Sequence, residues 1–107
     1  MAVTLCLAPS ADEPREIVSY LLAEHQTVVA VPARHLVDRV GNLDEGSAPA
    51  VWLDVATSRA RPVHVRFDLL VPGASGPARG RFLGRVRWQG DDADVYGTYL
   101  GPVSAEN

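Results

Sequence analysis

An α+β domain is the fold this sequence predicts: a small antiparallel β-barrel with one N-terminal helix. Three observations predict it. Arg79, Arg81, Arg85 and Arg87 occupy odd positions within nine residues, while Gly80, Phe82, Gly84, Val86 and Trp88 fill the even ones. Side chains alternate between the faces of a strand, so this run reads as a strand with an apolar side and a cationic side. Only Leu83 falls out of step. Val63, Val65, Phe67, Leu69 and Val71 alternate with His64, Arg66, Asp68 and Leu70, a second and stronger strand pattern. Nearer the N-terminus a capped stretch carries apolar residues at helical spacing.

That stretch begins at Ser10-Ala11-Asp12-Glu13, a Ser-x-x-Glu capping box in which each side chain satisfies the other residue's backbone N–H. Pro14 suits a first helical turn, where its missing N–H costs nothing. Ile17, Val18, Leu21 and Leu22 then form one apolar stripe, and a helix is expected from Ala11 to His25, with His25 at the negative end of its dipole. Ahead of it, Val3 to Leu7 reads as a short strand or an arm packed on the body.

Beyond the helix the pattern turns to β. Thr27 to Val31 is rich in β-branched residues and Pro32 ends it. Arg34 to Val40 follows as a strand with Leu36 and Val40 inward. Residues 41 to 49 read as a polar turn. Ala50 to Ala56 places Val51, Leu53 and Val55 on one face and Trp52 and Asp54 on the other. Thr57 to Pro62 is a loop carrying Arg59 and Arg61. Residues 72 to 77, with two prolines and two glycines, separate the two patterned strands. Residues 89 to 92 turn the chain, Val95 to Leu100 closes the sheet, and 101 to 107 is expected to fray. The whole of 1–107 is read as one domain.

If the strands at 63–71 and 79–88 pair antiparallel, their polar faces bring His64, Arg66 and Asp68 beside Arg81, Arg85 and Arg87. Asp68 would neutralise one arginine and the rest would form a cluster. Arg79, Arg81, Arg85, Arg87, Arg66 and His64 are therefore the candidate site for a small anionic ligand, held by bidentate guanidinium contacts. The competing account is a solvent-facing strand whose arginines keep a sheet edge from associating. All ten basic residues are arginine, a composition that lowers the weight of any single one.

Composition narrows the classes. Apolar residues make up 47% and charged residues 21% of 107, ordinary values for a globular domain. A net charge of −3 argues against nucleic acid as partner. No run approaches the roughly 18 apolar residues that span a bilayer, and no secretory leader is read at the start. Cys6 is the single cysteine, so a reducing, cytoplasmic setting is expected and the thiol reads as structural. His25, His35 and His64 share no ligand spacing, so no metal site is read. There is no nucleophile elbow and no phosphate-binding glycine loop, and catalytic residues are not assigned. Trp52, Trp88, Tyr96 and Tyr99 read as core or interface rings more readily than as a stacking wall for a flat ligand.

The order of elements resembles a family. The strand ending Asp54-Val55-Ala56, the run Arg61 to Val71, a proline- and glycine-rich loop and Ala78-Arg79-Gly80-Arg81-Phe82-Leu83-Gly84-Arg85-Val86-Arg87 look like the split β-barrel of pyridoxamine 5′-phosphate oxidase-like proteins, in the actinobacterial branch related to haem utilisation. The resemblance spans about Pro9 to Leu100. It implies a homodimer with flavin mononucleotide or haem at the interface, a flavin phosphate or haem propionate on the arginines, and His35 or His64 as axial ligand if haem is bound. An enzyme of this kind would be a flavin-dependent oxidoreductase, although the resemblance carries no catalytic signature. A second reading is a PilZ-like barrel for a cyclic dinucleotide, through Arg34, Arg39, Asp54 and Ser58, whose spacing departs from that family's pattern. A third is a ligandless module that dimerises through its sheet.

Overall fold

A computed structural model describes residues 3–43, 48–57 and 61–103. It is all-β. Seven strands, β1 (Arg15–Leu21), β2 (Gln26–Pro32), β3 (His35–Asn42), β4 (Pro49–Ala56), β5 (Pro62–Leu70), β6 (Arg81–Trp88) and β7 (Asp91–Pro102), make two antiparallel sheets ordered β1-β4-β3 and β2-β5-β7-β6. The α+β expectation is therefore overturned, and the predicted helix at 11–25 is the reason. Half of the capping pair forms: the Ser10 N–H donates to Glu13 Oε2 at 2.6 Å, while the Glu13 N–H goes to the Ser10 backbone carbonyl at 3.4 Å rather than to the Ser10 hydroxyl. It closes a turn, however, and Glu13 Oε1 goes to the Arg34 guanidinium at 3.4 Å. From Arg15 the chain is extended. Val18, Tyr20 and Leu22 alternate inward, and this period of two wins because β1 is in continuous antiparallel register with β4, from Arg15↔Ala56 to Leu21↔Ala50.

The sheets face each other around one core containing Leu22, Val31, Val51, Leu53, Val63, Val65, Phe67 and Val95. Val51, Leu53 and Val55 line it as their alternation requires, and so do Val63 to Leu69 of β5, whereas Val71 lies beyond the strand and is 75% exposed. The fold is barrel-like because the sheets are stitched along a β3–β6 seam. There the Asn42 side chain stands in for a missing strand: its Nδ2 donates to the Arg87 carbonyl at 2.8 Å, and its Oδ1 accepts from the Arg87 N–H at 3.0 Å.

Three register shifts interrupt the ladders. One lies in the β5–β7 pairing, where Leu100 is the extra residue, and the other two decide which side chains of β3 and β6 share a face. In β3 the pairing shifts between Val37 and Arg39, leaving Asp38 as the extra residue. His35, Val37 and Val40 thus face inward, and Leu36, expected inside, stands with Asp54 on the outer face. In β6 the shift lies between Phe82 and Gly84, so Leu83 and Gly84 share the place opposite Val95. Gly84 takes φ 150°, a backbone that suits glycine, and its missing side chain leaves room for Val40 of β3.

The N-terminal arm packs on the body as expected. Bridges at Val3↔Val37 and Leu7↔Arg34 tie it to β3 and to the residue just before it, and Leu5 is buried in the core. The Leu7 N–H donates to the Ala33 carbonyl at 3.0 Å, and the His35 N–H donates to Leu7 at 2.9 Å. The central part of the 41–49 turn, Arg59 with its neighbours, and the final tail from 104 fall outside the described residues. No helix among the described residues is long and apolar enough to cross a membrane.

Candidate functional site

The expected pairing of β5 with β6 does not occur, because β7 lies between them. A two-residue turn at Gln89-Gly90, both at positive φ (55° and 85°), joins β6 to β7 as a tight hairpin. Its register sets Arg87 opposite Asp92 and Arg85 opposite Asp94. Arg85 Nε donates to Asp94 Oδ1 at 2.7 Å, and Arg87 Nη1 donates to Asp92 Oδ1 at 3.3 Å while Nη2 reaches the Gly90 carbonyl at 2.6 Å. The hydrogen bond to Asp94, then its charge, raises the Arg85 pKa still further. Both cations are thus matched across the hairpin.

Asp68 is buried and takes Arg66 of its own strand, two residues away on the same face, through an Nε–Oδ2 bond of 3.0 Å. It neutralises no arginine of the 79–87 run. With His64, Arg66 lies on the outer face of the four-stranded sheet, where Thr98 and Tyr96 of β7 adjoin Arg66 and Asp68. The loop before β6 covers part of that face: a Cβ on Gly76 would stand 2.5 Å from the Tyr96 ring, and one on Gly80 would stand 3.1 Å from Thr98 Oγ1. Arg79 and Gly80 belong to this loop, so the strand starts later than its arginine pattern suggested.

The bulge splits what remains of the stripe. Beyond Leu83 the faces exchange, and Arg81 comes opposite Gly97, an inward-facing position of β7, while Arg85 and Arg87 stay outside. Arg79 and Arg81 then line a half-open hollow of about 230 Å³ with Thr4, Leu5, Gly97 and Tyr99. Among the described residues six other arginines, Arg15, Arg34, Arg39, Arg66, Arg85 and Arg87, have an acidic partner, whereas Arg79 and Arg81 have none; Arg61 also has none but does not line the hollow. Two guanidinium groups without carboxylates stand beside a concave surface, and guanidinium donors of this kind are chemically suited to fork around an oxyanion.

Sequence reasoning thus named Arg79 and Arg81 but grouped them with the wrong neighbours. It missed the arm as one wall of the hollow and the matching of Arg85 and Arg87 by Asp94 and Asp92. The signal for the latter was present: a two-residue turn at 89–90 forces residues 87 and 92, and then 85 and 94, into opposition. Tyr99 was singled out as a ring, and it lines the same hollow.

His35 is fully buried. Its Nδ1–H donates to the Pro32 carbonyl at 2.9 Å and its Nε2 accepts the Leu5 N–H at 3.2 Å, the tautomer this pair of bonds requires. With both nitrogens engaged it has no lone pair for a haem iron, which removes it as an axial ligand. Burial lowers its pKa below the usual histidine value, opposed in part by the Pro32 bond. Among the described residues no group of three His, Cys, Asp or Glu side chains is placed to hold a metal ion. Arg34 is paired with Glu13, and the Arg39 guanidinium lies 3.7 Å above the Trp52 ring, so the two arginines of the cyclic-dinucleotide reading are each committed within the fold. Comparison with protein-family models, with curated proteins and with solved structures gave no match.

Proposed function

We propose that this protein is a ligand-binding β-barrel that takes a small anion, a phosphate or carboxylate group, between its N-terminal arm and the start of β6. The observation that carries the reading is the pair Arg79 and Arg81, uncompensated beside the hollow while their neighbours Arg85 and Arg87 are matched. Thr4, whose hydroxyl proton goes to the Leu7 carbonyl at 2.9 Å, closes the arm side, and Tyr99 adds a flat aromatic surface, so the donors of the rim are the two guanidinium groups. At about 230 Å³ the hollow is smaller than the roughly 300–1,000 Å³ of sites that enclose drug-sized ligands. It therefore suits a small acid, or the phosphate or propionate end of a larger group such as the flavin or haem that the split-barrel resemblance implies. The ring of such a group would lie outside the hollow, against a second copy of the chain.

A ligand that binds only the native state raises its stability by about 2.7 kcal/mol at a hundredfold excess over Kd. For a domain of this size the melting midpoint rises on the order of 10 °C. Inorganic phosphate should give such a rise in the unaltered protein and none in the Arg79→Gln/Arg81→Gln double variant. An equal rise in both, or none in either, overturns the proposal. The absorbance spectrum of freshly purified protein decides the larger ligand: flavin bands or a Soret band supports a cofactor, and a colourless protein restricts the reading to a small anion.

A further inference from the structure

The arm that walls the hollow is held to the barrel by a titratable group. Val3 and Leu7 are bonded through backbone groups, but the Leu5 N–H between them has a side-chain acceptor, His35 Nε2 at 3.2 Å. Leu5 is also the arm's deepest residue. It sits in the core, in the space left by Gly97, where a Cβ would come within 2.8 Å of Leu5 Cδ1. We propose that His35 is an acid-released latch: its neutral ring holds Leu5, and with it the arm wall of the Arg79–Arg81 hollow, and its protonated ring lets that wall go. The effect on anion binding rests on the reading above, whereas release of the arm does not.

The chemistry follows from the donor count. A neutral imidazole donates from Nδ1 and accepts at Nε2, while the imidazolium donates from both. Protonation therefore sets an N–H of the ring against the N–H of Leu5 and places a charge in the interior, with Nδ1 still bonded to Pro32. The surroundings offer no compensation. Val55 lies opposite His35 on β4, and the arm brings Val3, Leu5 and Cys6 to the same core. The interior residues of β5 are Val63, Val65, Phe67 and Leu69. The titratable groups on the adjoining elements are engaged elsewhere: Arg34 with Glu13, Asp54 with Arg15, and Asp38 with Arg39. His64 and Arg66 lie on the outer face of β5, Tyr99 of β7 lines the hollow, and exposed Glu16 of β1 stands across β4, two strand spacings away. Detaching the arm frees the opposing donor and admits water to the ring, against the loss of three backbone bonds (Leu7 to Ala33, His35 to Leu7 and Val37 to Val3) and the burial of Leu5.

Cys6, the single cysteine, lies in the arm and packs in part against the core, so its labelling reads arm release directly. The probe is a dithiodipyridine, which reacts with thiols in acid, with rates normalised at each pH to the unfolded chain. Between pH 6.5 and the lower pKa of the folded ring, the normalised rate should rise about tenfold per pH unit, one proton being taken up on opening. It should stay level in His35→Gln, whose side chain does not titrate. The fluorescence of Trp52 and Trp88 should remain native over the same range. Hydrogen exchange at the Leu5 amide of the unaltered protein gives the same test without a substitution. A level profile in the unaltered protein, a slope kept in His35→Gln, or labelling that tracks global unfolding overturns the latch. Inorganic sulfate, whose charge is constant over this range, separates the two claims. Sulfate bound at pH 7.5 and lost with arm release supports both. Sulfate never bound, with Cys6 still unmasked by acid, overturns the anion site and leaves the latch standing. Sulfate bound equally at every pH, with Cys6 protected, does the reverse.

Discussion

Substituting Gly84 with alanine tests how the barrel is closed. Gly84 sits in the β6 bulge at φ 150°, and an added Cβ would stand 2.5 Å from Val40 Cγ2 of β3. Val40 cannot easily yield, because a β-branched side chain is stiff at χ1 and this one packs against the core. Overpacking of this kind costs about 1–3 kcal/mol, and holding a non-glycine residue in a sparsely populated backbone region costs about 1–3 kcal/mol more. Gly84→Ala should therefore lose roughly 2–6 kcal/mol, measured as a lower urea midpoint followed by tryptophan fluorescence. Trimming Val40 removes the clash but not the backbone strain. Val40→Ala in the Gly84→Ala background should thus cost little, with a coupling between the two sites of about 1–2 kcal/mol. A loss below about 0.5 kcal/mol for Gly84→Ala, or strictly additive losses in the pair, would refute the seam as described.

Four further outcomes follow from the same structure. Asn42→Ala removes both side-chain bonds that join β3 to Arg87 and should cost about 1–3 kcal/mol in chemical denaturation, with the far-UV spectrum unchanged. Arg66→Leu leaves Asp68 buried without its cation; the roughly 3–5 kcal/mol for a fully buried pair is a ceiling, because Arg66 is partly exposed, and the loss should be recovered in the Arg66→Leu/Asp68→Leu double variant. Asp92→Asn breaks an exposed pair and should change the unfolding midpoint by an equivalent of less than about 1 kcal/mol. The pH dependence of stability has a defined sign at His35. Its folded pKa lies below the unfolded value, so below pH about 6.5 the unfolded chain binds a proton that the native ring refuses. Stability from this group is complete above that pH and falls toward the folded pKa, with a limiting slope of about 1.4 kcal/mol per pH unit that His35→Gln should remove.

β4 and β5 were legible because their alternation is uninterrupted: Val51 to Val55 and Val63 to Leu69 face the core as read. The first strand was not, since Ile17, Val18, Leu21 and Leu22 fit a helical stripe while Val18, Tyr20 and Leu22 fit a strand. The capping box weighted the choice toward helix. What decides the contest is β4, whose residues pair with β1 from 29 (Leu21↔Ala50) to 41 (Arg15↔Ala56) positions onward and which no local pattern reveals. The bulges were half visible. Leu83 breaking the odd-even order marks where β6 changes faces, and treating it as noise kept Arg81 with Arg85 and Arg87. Asp38 left no comparable mark in an already irregular segment, so Leu36 was assigned to the wrong side. The candidate site suffered from the same cause. The arginines were easy to find, but which of them keep their charge unspent depends on a hairpin register and on an arm from the other end of the chain.

Backbone and arginine side-chain resonances followed through a titration with inorganic phosphate test the central claim most directly. The account predicts saturable shifts at Arg79, Arg81, Gly97 and Tyr99 and at Thr4 and Leu5 of the arm, with the Nε–H signals of Arg85 and Arg87 unmoved. Shifts centred on Arg85 and Arg87, or a spectrum that phosphate leaves unchanged, would contradict it.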